Sequence, residues 1–452
     1  MASKKKIVLI NPWICDFAAY DFWLKPVGLL YVGSVLLHYG FDVTLIDLLN
    51  RHDPKIASFV KPKPDKQYGT GKFHAVEIPK PPQLSFVPRK YKRYGAPEEF
   101  FIHELKGIEK PDAFFVTSSM TYWWPGVRQT IEVIKRVFPN ALVVLGGVYA
   151  RIYPDHARLH SGANIVYSAD LSQLNALLSD LFGESFDDDL SDWFERFDPA
   201  YELYDRLGYL VFFTSLGCVY NCSYCLTPKL YGKWVYRDHE RILRMIRKYV
   251  HTFNVKDVVF FDDAALIDKE NHFKPLLRKL IRANLGVRYH LPNGIHARLI
   301  DEELAWLLKQ ANFVTIKLGY ETSGPLQNKT GGKVQDEDIL RAAQMLRSVG
   351  FTSSEIQAYI MVNMPGQTEQ DVMNAIETCR KAGISISLNE YTPIPNTKDW
   401  LELTSAGMLP ADVDPFLLNN TVLPYWWKAG MDVATVQRLK DLAHGRTSTL
   451  RS

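Results

Sequence analysis

Short apolar runs alternate with helical patterns through the first third of this 452-residue chain. The runs are four to six residues long and rich in β-branched side chains, as expected of buried strands. The predicted strands are 6–11, 42–47, 112–117, 141–145 and 164–167, and helices are predicted at 27–39 and 126–138. This order predicts an α/β fold with a doubly wound, Rossmann-like parallel sheet, in which ligands bind at the carboxyl ends of the strands.

Strand-then-helix units resume after residue 206. The predicted strands are 255–261, 286–291, 314–319, 356–362 and 384–388, with helical patterns between them. Counting the strand that leads into residue 218 gives six units, and polar residues follow each strand, which predicts a (β/α) barrel. The predicted domains are 1–170 (with an insertion at 51–106), a linker at 171–205, the barrel at 206–400 and a C-terminal extension at 401–452.

Composition narrows the range of partners. Hydrophobic residues make up 47% of the chain and the net charge is +3, so neither a nucleic-acid nor a membrane partner is indicated. The longest apolar stretch, 27–37, is far shorter than a membrane-spanning helix, and the lysines at 4–6 are followed by a strand rather than by a signal peptide. We therefore expect a soluble, cytoplasmic protein.

The insertion at 51–106 is rich in Pro, Lys, Arg and Tyr. Its segment 88–94, Pro-Arg-Lys-Tyr-Lys-Arg-Tyr, interleaves basic and aromatic residues, a pattern compatible with RNA binding. The simpler interpretation, which we favour, is a solvated insertion that packs over the sheet edge or covers the active site.

Three cysteines within eight residues, Cys218, Cys222 and Cys225, are the most informative local pattern. Only Cys15 and Cys379 remain, far apart, so a disulfide framework is not expected. The spacing C-x3-C-x2-C offers three thiolates to an iron–sulfur cluster. A [4Fe–4S] cluster normally takes four, so one iron would be open to a ligand that is not protein. A structural zinc site, which usually needs four ligands, and inert thiols are the alternatives.

The motif resembles the signature of radical S-adenosylmethionine (SAM) enzymes, in which an aromatic residue, here Tyr224, precedes the last cysteine. The resemblance implies that SAM chelates the open iron and is cleaved by one electron to methionine and a 5′-deoxyadenosyl radical. It also implies a one-electron donor such as flavodoxin or ferredoxin, and a partial (β/α)6 TIM-like barrel. An iron–sulfur electron carrier or redox-sensing module is the alternative of another class, although such carriers usually saturate their irons with four cysteines.

Two strand ends of the predicted barrel also match this family. Gly319-Tyr320-Glu321-Thr322 resembles its Gly-x-Glu-Ser strand end, and 364–368, Met-Pro-Gly-Gln-Thr, resembles its Gly-x-Pro-Gly-Gln-Thr turn. The resemblance implies that Asp262 or Asp263 holds the methionyl amine and Glu321 the ribose hydroxyls. The implied SAM contacts are Tyr224, Asp262, Asp263, Asn293, Glu321 and the adenine-lining segment from Ile360 to Val362. Helix capping by the aspartates and an ion pair of Glu321 with Lys317 are the structural alternatives.

The doubly wound domain ahead of the motif resembles the cobalamin-binding class of the family. Ser118-Ser119-Met120 corresponds to its Ser-x-Leu, and Gly146-Gly147 follows the next strand, where a side chain would collide with the nucleotide tail of the cofactor. The family's Asp-x-His-x-x-Gly loop, whose histidine ligates cobalt, has no counterpart, because segment 12–23 lacks histidine. Cobalamin then binds without a protein histidine, or the domain is a relic, or Cys15, Asp16 or Tyr20 approaches the metal. We favour the first.

Family analogy suggests methyl transfer from methylcobalamin to an unactivated carbon or phosphorus centre, with two SAM molecules consumed per turnover. Radical rearrangement or oxidation, with or without cobalamin, is the alternative. Methylthiotransfer to tRNA would need a second cluster with three more cysteines, and only two remain. The C-terminal tail, with an aromatic patch at 425–427 and a helix predicted at 433–443, closes the open side of the barrel or is a packing appendage. The substrate cannot be read from the sequence.

Overall fold

A computed structural model describes residues 4–332 and 334–446 of the chain. The chain divides into two compact units, Met1–Tyr209 and Leu210–Ser452. The strands of the first unit are β1 (Lys6–Asn11), β2 (Ile14–Asp16), β3 (Asp42–Asp47), β4 (Ala75–Glu77), β5 (Lys92–Tyr94), β6 (Ala113–Val116), β7 (Val143–Leu145) and β8 (Ile165–Val166). Its helices are α1 (Val27–His38), α2 (Glu98–Gly107), α3 (Trp124–Val137), α4 (Val148–Ile152), α5 (Pro154–His160), α6 (Leu174–Phe182) and α7 (Trp193–Arg196).

The main sheet of the first unit is parallel, with the strand order β3-β1-β6-β7-β8. All but the first residue of β1 are buried, as expected of a central strand in such a sheet. The chain runs from β1 to β3 on one side and then to β6, β7 and β8 on the other. The order therefore reverses between β1 and β6, the position at which doubly wound sheets bind ligands. The predicted doubly wound fold is confirmed.

The insertion folds back onto the first unit through a small antiparallel sheet, β2-β5-β4. A separate apolar cluster supports it, made of Ile14, Leu49, Phe73 and Tyr94. Both tyrosines of the basic segment 88–94 are buried: Tyr91 donates from its hydroxyl to the carbonyl of Cys15, and Tyr94 donates to that of Phe17, each at 3.1 Å. Because these rings belong to the core, they are not a surface on which RNA bases could stack, and the structure favours a packed insertion.

Segment 171–205, which we predicted as a linker, carries α6 and α7 and packs on the first unit. Tyr39 donates from its hydroxyl to Asn175 at 2.8 Å, and the backbone N–H of Ala200 donates to Leu30 at 3.1 Å.

The strands of the second unit are β9 (Leu210–Phe212), β10 (Ser215–Leu216), β11 (Val235–Tyr236), β12 (Asp257–Phe260), β13 (Arg288–His296), β14 (Phe313–Glu321), β15 (Ile356–Val362) and β16 (Ser385–Glu390). Its helices are α8 (Thr227–Tyr231), α9 (His239–Phe253), α10 (Phe273–Ala283), α11 (Glu302–Gln310), α12 (Asp336–Ser348), α13 (Glu369–Ala382), α14 (Lys398–Ser405), α15 (Leu423–Trp426) and α16 (Val433–Ala443). In the described part of the chain, no helix combines the length and the apolarity that a bilayer crossing requires.

Six of these strands form one parallel sheet in the order β16-β15-β14-β13-β12-β9, which confirms the predicted partial barrel. Neighbours in the sheet are neighbours in sequence, and α9 to α13 alternate with the strands, as in (β/α) barrels. All six strands therefore present their carboxyl ends at one edge, and the polar residues that follow them are brought together there.

The C-terminal tail packs against this sheet and its helices. Arg438 of α16 pairs with Glu369 of α13 at 2.8 Å, and Met431 donates its backbone N–H to the side chain of Asn363, directly after β15. Trp427 is buried and donates from its indole to the carbonyl of Met408 at 3.1 Å. Trp427, the last residue of the predicted aromatic patch, is therefore a core residue.

Candidate active site

The three cysteines lie on one loop at the carboxyl end of the first barrel strand, between β10 and α8. Gly217 begins the loop with a φ of 85°, and a Cβ atom there would lie 2.9 Å from the carbonyl oxygen of Lys233, so only glycine fits. Cys222 is buried, whereas Cys218 and Cys225 are partly exposed. The loop thus presents two partly accessible thiols and one enclosed thiol.

Segments from elsewhere in the chain hold this loop. The backbone N–H of Ser223 donates to Lys329 at 3.2 Å, and its carbonyl accepts from the N–H of Asp399 at 3.0 Å. The ring of Tyr220 stacks on His296, with centroids 4.2 Å apart. Our sequence analysis missed these supports, because they join positions far apart in the chain and no motif marks them.

The cysteine loop does not bring its three thiols together around a single point. Across 4–332 and 334–446, no three Cys, His, Asp or Glu side chains converge closely enough to share one ion. Thiolates that each bind a different iron of a cluster must instead lie apart from one another. Cys379 is fully buried in α13, and burial raises its pKa to about 12, so it is not a fourth thiolate ligand.

The paired aspartates after β12 have different surroundings. Asp262 is 3% exposed, and its Oδ1 accepts from the hydroxyls of Thr214 and Ser215, each at 2.6 Å, and from the backbone N–H groups of both. Burial raises the pKa of Asp262, and these hydrogen bonds oppose the rise. Since Thr214 and Ser215 lead into the cysteine loop, Asp262 fastens that loop to the end of β12.

Asp263, in contrast, has a buried carboxylate oxygen without a partner among the described residues. Its Oδ1 accepts from the hydroxyl of Thr227 at 3.3 Å, while Oδ2 is buried and makes no hydrogen bond. Burial raises the pKa of Asp263 to about 6; the hydroxyl of Thr227 and the backbone N–H of Gly217 lower it, and the neighbouring Asp262 raises it. An unsatisfied buried acceptor costs about 1–3 kcal/mol, so a bound ammonium group would be well placed here.

Glu321 lies near the aromatic residue of the cysteine motif. It ends β14 with a φ of 72°, a left-handed conformation that is uncommon for glutamate. Burial raises the pKa of Tyr224 and of Tyr359, and the charge of Glu321 raises each further. Tyr359 in turn accepts from Lys317 at 2.7 Å, and burial lowers the pKa of Lys317 to about 8. Glu321 is therefore close enough to Tyr224 for its charge to act on that hydroxyl.

Asn293 joins two strand ends. Its amide donates to the carbonyls of Phe261 at 2.8 Å and Asp262 at 3.2 Å. The next residue, Gly294, has no room for a side chain, because a Cβ atom would lie 2.8 Å from the Cα atom of Gly319. Asn293 therefore supports the aspartates from the neighbouring strand.

The strand β15 exposes alternate side chains. Ile360 and Val362 are fully buried, whereas Tyr359 and Met361 are partly exposed. Because side chains alternate across a strand, Met361 shares the face of Tyr359. A ligand on that face would meet the side chain of Met361 and only the backbone of Ile360 and Val362.

In the first unit, the residues predicted to contact cobalamin lie at the carboxyl edge of the sheet. Ser118 donates from its hydroxyl to the carbonyl of Gly146 at 2.6 Å, and Ser119 after it is exposed. Gly147 has a φ of 88°, and a Cβ atom there would lie 2.2 Å from the carbonyl oxygen of Ser118, whereas at Gly146 it would meet nothing within 4 Å. The fold itself requires Gly147, while Gly146 leaves open space at the sheet edge, as a cofactor tail would need.

In segment 12–23, the loop that lacks histidine, the side chains pack against the rest of the first unit. Cys15 is 1% exposed and burial raises its pKa to about 12, so the thiol stays protonated. Asp16 accepts from the indole of Trp123 at 2.6 Å, and the ring of Tyr20 packs against Phe22 with centroids 4.4 Å apart. This arrangement does not favour Cys15 or Asp16 as a cobalt ligand.

Residues 212–379 match the Radical SAM superfamily. The match begins at the last residue of β9 and ends in α13, so it covers the cysteine loop and the strands up to β15. The chain therefore carries a radical SAM domain, as its cysteine motif predicted, and such domains use a [4Fe–4S] cluster and SAM.

Structural similarity extends beyond residues 212–379 to most of the chain. The chain is similar in structure to the radical SAM methyltransferase TsrM from Kitasatospora setae with cobalamin and a [4Fe–4S] cluster bound, with a TM-score of 0.65 and 17% identity over 89% of this chain and 78% of that one. At this identity the likeness establishes a common fold for both units.

Two relatives in sequence are named as methyltransferases. An uncharacterized methyltransferase of Pyrococcus horikoshii is 22% identical over 56% of this chain and 53% of its own length. The cytidylyl-2-hydroxyethylphosphonate methyltransferase of Streptomyces wedmorensis is 18% identical over 84% of this chain and 78% of its own. The chain thus spans about half the length of the first relative and most of the second.

Replacing Gly331 with alanine is expected to weaken cluster binding. Gly331 and Gly332 have φ values of 85° and 60°, so alanine at either position costs about 1–2 kcal/mol of backbone strain. Only at Gly331 would the Cβ atom meet a cysteine, 3.2 Å from the sulfur of Cys222. Cluster affinity, followed as iron and sulfide per chain after anaerobic reconstitution, should fall about tenfold in Gly331→Ala. Equal losses in Gly331→Ala and the control Gly332→Ala would show strain alone.

SAM binding is expected to weaken as the pH falls through about 6, the pKa of Asp263. An ammonium group binds the ionised carboxylate, so below that pH a proton must first be displaced, and the apparent Kd should rise about tenfold per pH unit. Titration calorimetry of the cluster-loaded protein between pH 5 and pH 8, which also counts the protons released, measures this. Asp263→Asn should bind weakly without that dependence; an unchanged pH profile in this variant would refute the assignment.

Proposed function

We propose that this protein is a radical SAM enzyme that binds SAM at a three-cysteine [4Fe–4S] cluster and cleaves it reductively. The observation that carries the proposal is the position of Asp263. Its buried carboxylate oxygen has no hydrogen-bond partner in the described part of the chain, and it follows the strand next to the one that leads into the cysteine loop. When bound, the cluster supplies the electron that converts SAM to methionine and a 5′-deoxyadenosyl radical.

Each side chain near the loop has a defined task in this proposal. Cys218, Cys222 and Cys225 hold the cluster, and Asp263 accepts hydrogen bonds from the methionyl ammonium. Glu321 accepts from the ribose hydroxyls, and Tyr224 packs against the adenine together with the backbone of β15. Asn293 holds the carbonyl of Asp262 and so keeps the paired aspartates in place. The substrate and a one-electron donor such as flavodoxin or ferredoxin complete the reaction, in a reducing, cytoplasmic environment that suits five cysteines that form no disulfide.

We further propose that the first unit binds cobalamin without a protein histidine and that the reaction is methyl transfer to an unactivated centre. Support comes from the open space beside Gly146, from the doubly wound sheet with its switch point between β1 and β6, and from the methyltransferases to which the chain is similar. Ser118, Ser119 and the two glycines would line the nucleotide tail. When bound, cobalamin supplies the methyl group.

Substitution of the cysteines distinguishes a radical SAM enzyme from an electron carrier. Cys222→Ala should abolish formation of 5′-deoxyadenosine, because the cluster loses one of three ligands, whereas Cys379→Ala should leave it unchanged, since Cys379 only packs within α13. Both variants are reconstituted anaerobically, reduced with dithionite in the presence of SAM and assayed for the nucleoside by chromatography. An intact cluster in the wild-type protein without nucleoside above background would favour the electron-carrier alternative.

Cobalamin binding is tested at Gly146. Gly146→Ala should keep its unfolding temperature, because the new Cβ atom meets no protein atom within 4 Å, but should bind cobalamin about tenfold more weakly by filling the space for the tail. Gly107→Ala, also without neighbours within 4 Å, is the control. Absorbance of protein produced with cobalamin reports occupancy. A wild-type protein that holds iron and sulfide but no cobalt would identify the domain as a relic and leave rearrangement or oxidation as the reaction class.

A further inference from the structure

A chain of hydrogen bonds runs from the surface of the barrel to Asp262. The ring nitrogen Nε2 of His239, which is partly exposed, lies 3.2 Å from Nδ1 of His272. On the other side of that ring, Nε2 of His272 lies 3.0 Å from the hydroxyl of Thr214, which in turn lies 2.6 Å from Oδ1 of Asp262. His272, Thr214 and Asp262 are buried, at 0%, 0% and 3% exposure.

The donors and acceptors in this series of hydrogen bonds can be arranged in only one direction. Thr214 has a single hydroxyl proton, and its 2.6 Å contact with the carboxylate of Asp262 uses it. His272 must therefore donate from Nε2 to the hydroxyl oxygen. Burial lowers the pKa of His272 to about 3, so the ring is neutral and its Nδ1 accepts from Nε2 of His239. Three consecutive donors thus point toward Asp262.

We infer that His272 and Thr214 are positioning residues for SAM binding, acting through Asp262. This inference rests on the proposed function. Asp262 is bonded to Thr214 and Ser215, four and three residues ahead of Cys218, and it is the covalent neighbour of Asp263. One carboxylate therefore sets the path of the chain into the cysteine loop and the direction in which Asp263 leaves β12. His272 holds the hydroxyl of Thr214 in the rotamer that this carboxylate needs.

The same strand carries a matched pair at its other end, which provides a control. Asp257, at the start of β12, bonds Nε2 of His290 at 3.0 Å, and Nδ1 of that ring lies 2.9 Å from the hydroxyl of Thr315. His290 is as buried as His272. Replacing Thr315 with valine removes a threonine–histidine bond from the barrel without touching the cysteine loop.

The test measures SAM affinity and the reduced-cluster EPR spectrum of reconstituted protein. Thr214→Val, which removes the hydroxyl but keeps the shape, should raise the Kd for SAM roughly 10-fold to 100-fold, the range typical of groups that orient metal ligands. It should also change the EPR signal that SAM induces. Thr214→Ser should restore both, and His272→Phe should resemble Thr214→Val. Thr315→Val should leave both readouts at wild type.

The outcomes separate this inference from the proposed function. A wild-type protein that holds a cluster and does not bind SAM refutes the proposed function. If the wild type binds SAM and Thr214→Val binds within twofold of it, the positioning role is refuted. Equal effects in Thr214→Val and Thr315→Val would likewise overturn it, because loss of any buried threonine–histidine bond would then suffice. Failure of serine to rescue Thr214 would show that the hydroxyl is not the group that acts.

Discussion

The carboxylate of Asp262 is the interaction on which the site depends. In the proposed site, three cysteines leave one side of the cluster to another ligand, and contacts within the protein contribute to the shape of the loop. Asp262 does so by gathering four donors from two consecutive residues, Thr214 and Ser215, at the point where the chain enters the loop. The supports at Ser223 and Tyr220 then hold the middle of the loop.

Because Asp262 is used to hold the cysteine loop, a second aspartate is needed to bind a ligand. The four bonds fall on Oδ1 of Asp262, and Oδ2 accepts from the backbone N–H of Thr214 at 3.2 Å, so both oxygens already have donors from the protein. Asp263, one residue later, accepts from the hydroxyl of Thr227 instead and keeps a buried oxygen unsatisfied. The chain thus separates the group that fixes the loop from the group suited to a cation. The cost of burying Asp263 is visible in its raised pKa, and a bound ammonium would offset it.

Much of this fold could be predicted from the sequence, because the patterns that indicate its strands lie within short segments. The strands of both sheets are short apolar runs with polar residues after them, so β1, β3 and β15 lie at the predicted residues. The cysteine spacing is equally local. The two aspartates could not be told apart in sequence, because what distinguishes them is whether Thr214 and Ser215 reach them across the sheet. Lys329, Asp399 and His296 were missed for the same reason. The buried tyrosines of segment 88–94 agree with the packed insertion that we favoured, although composition alone is equally compatible with a binding surface.

Gly146 and Gly147 differ in what they indicate about cobalamin binding by the first unit. Gly147 is required by the fold whether or not a cofactor binds, since its Cβ atom would collide with the backbone of Ser118. It therefore says nothing about cobalamin. Gly146 does, because no protein atom within 4 Å would exclude a side chain there, and its φ is not one that favours glycine. The fold therefore does not require glycine at position 146, and the same holds for Gly107. Gly146 differs from Gly107 in its place at the carboxyl edge of the sheet, where open space beside the backbone would admit a ligand, so Gly146 is the more informative of the pair.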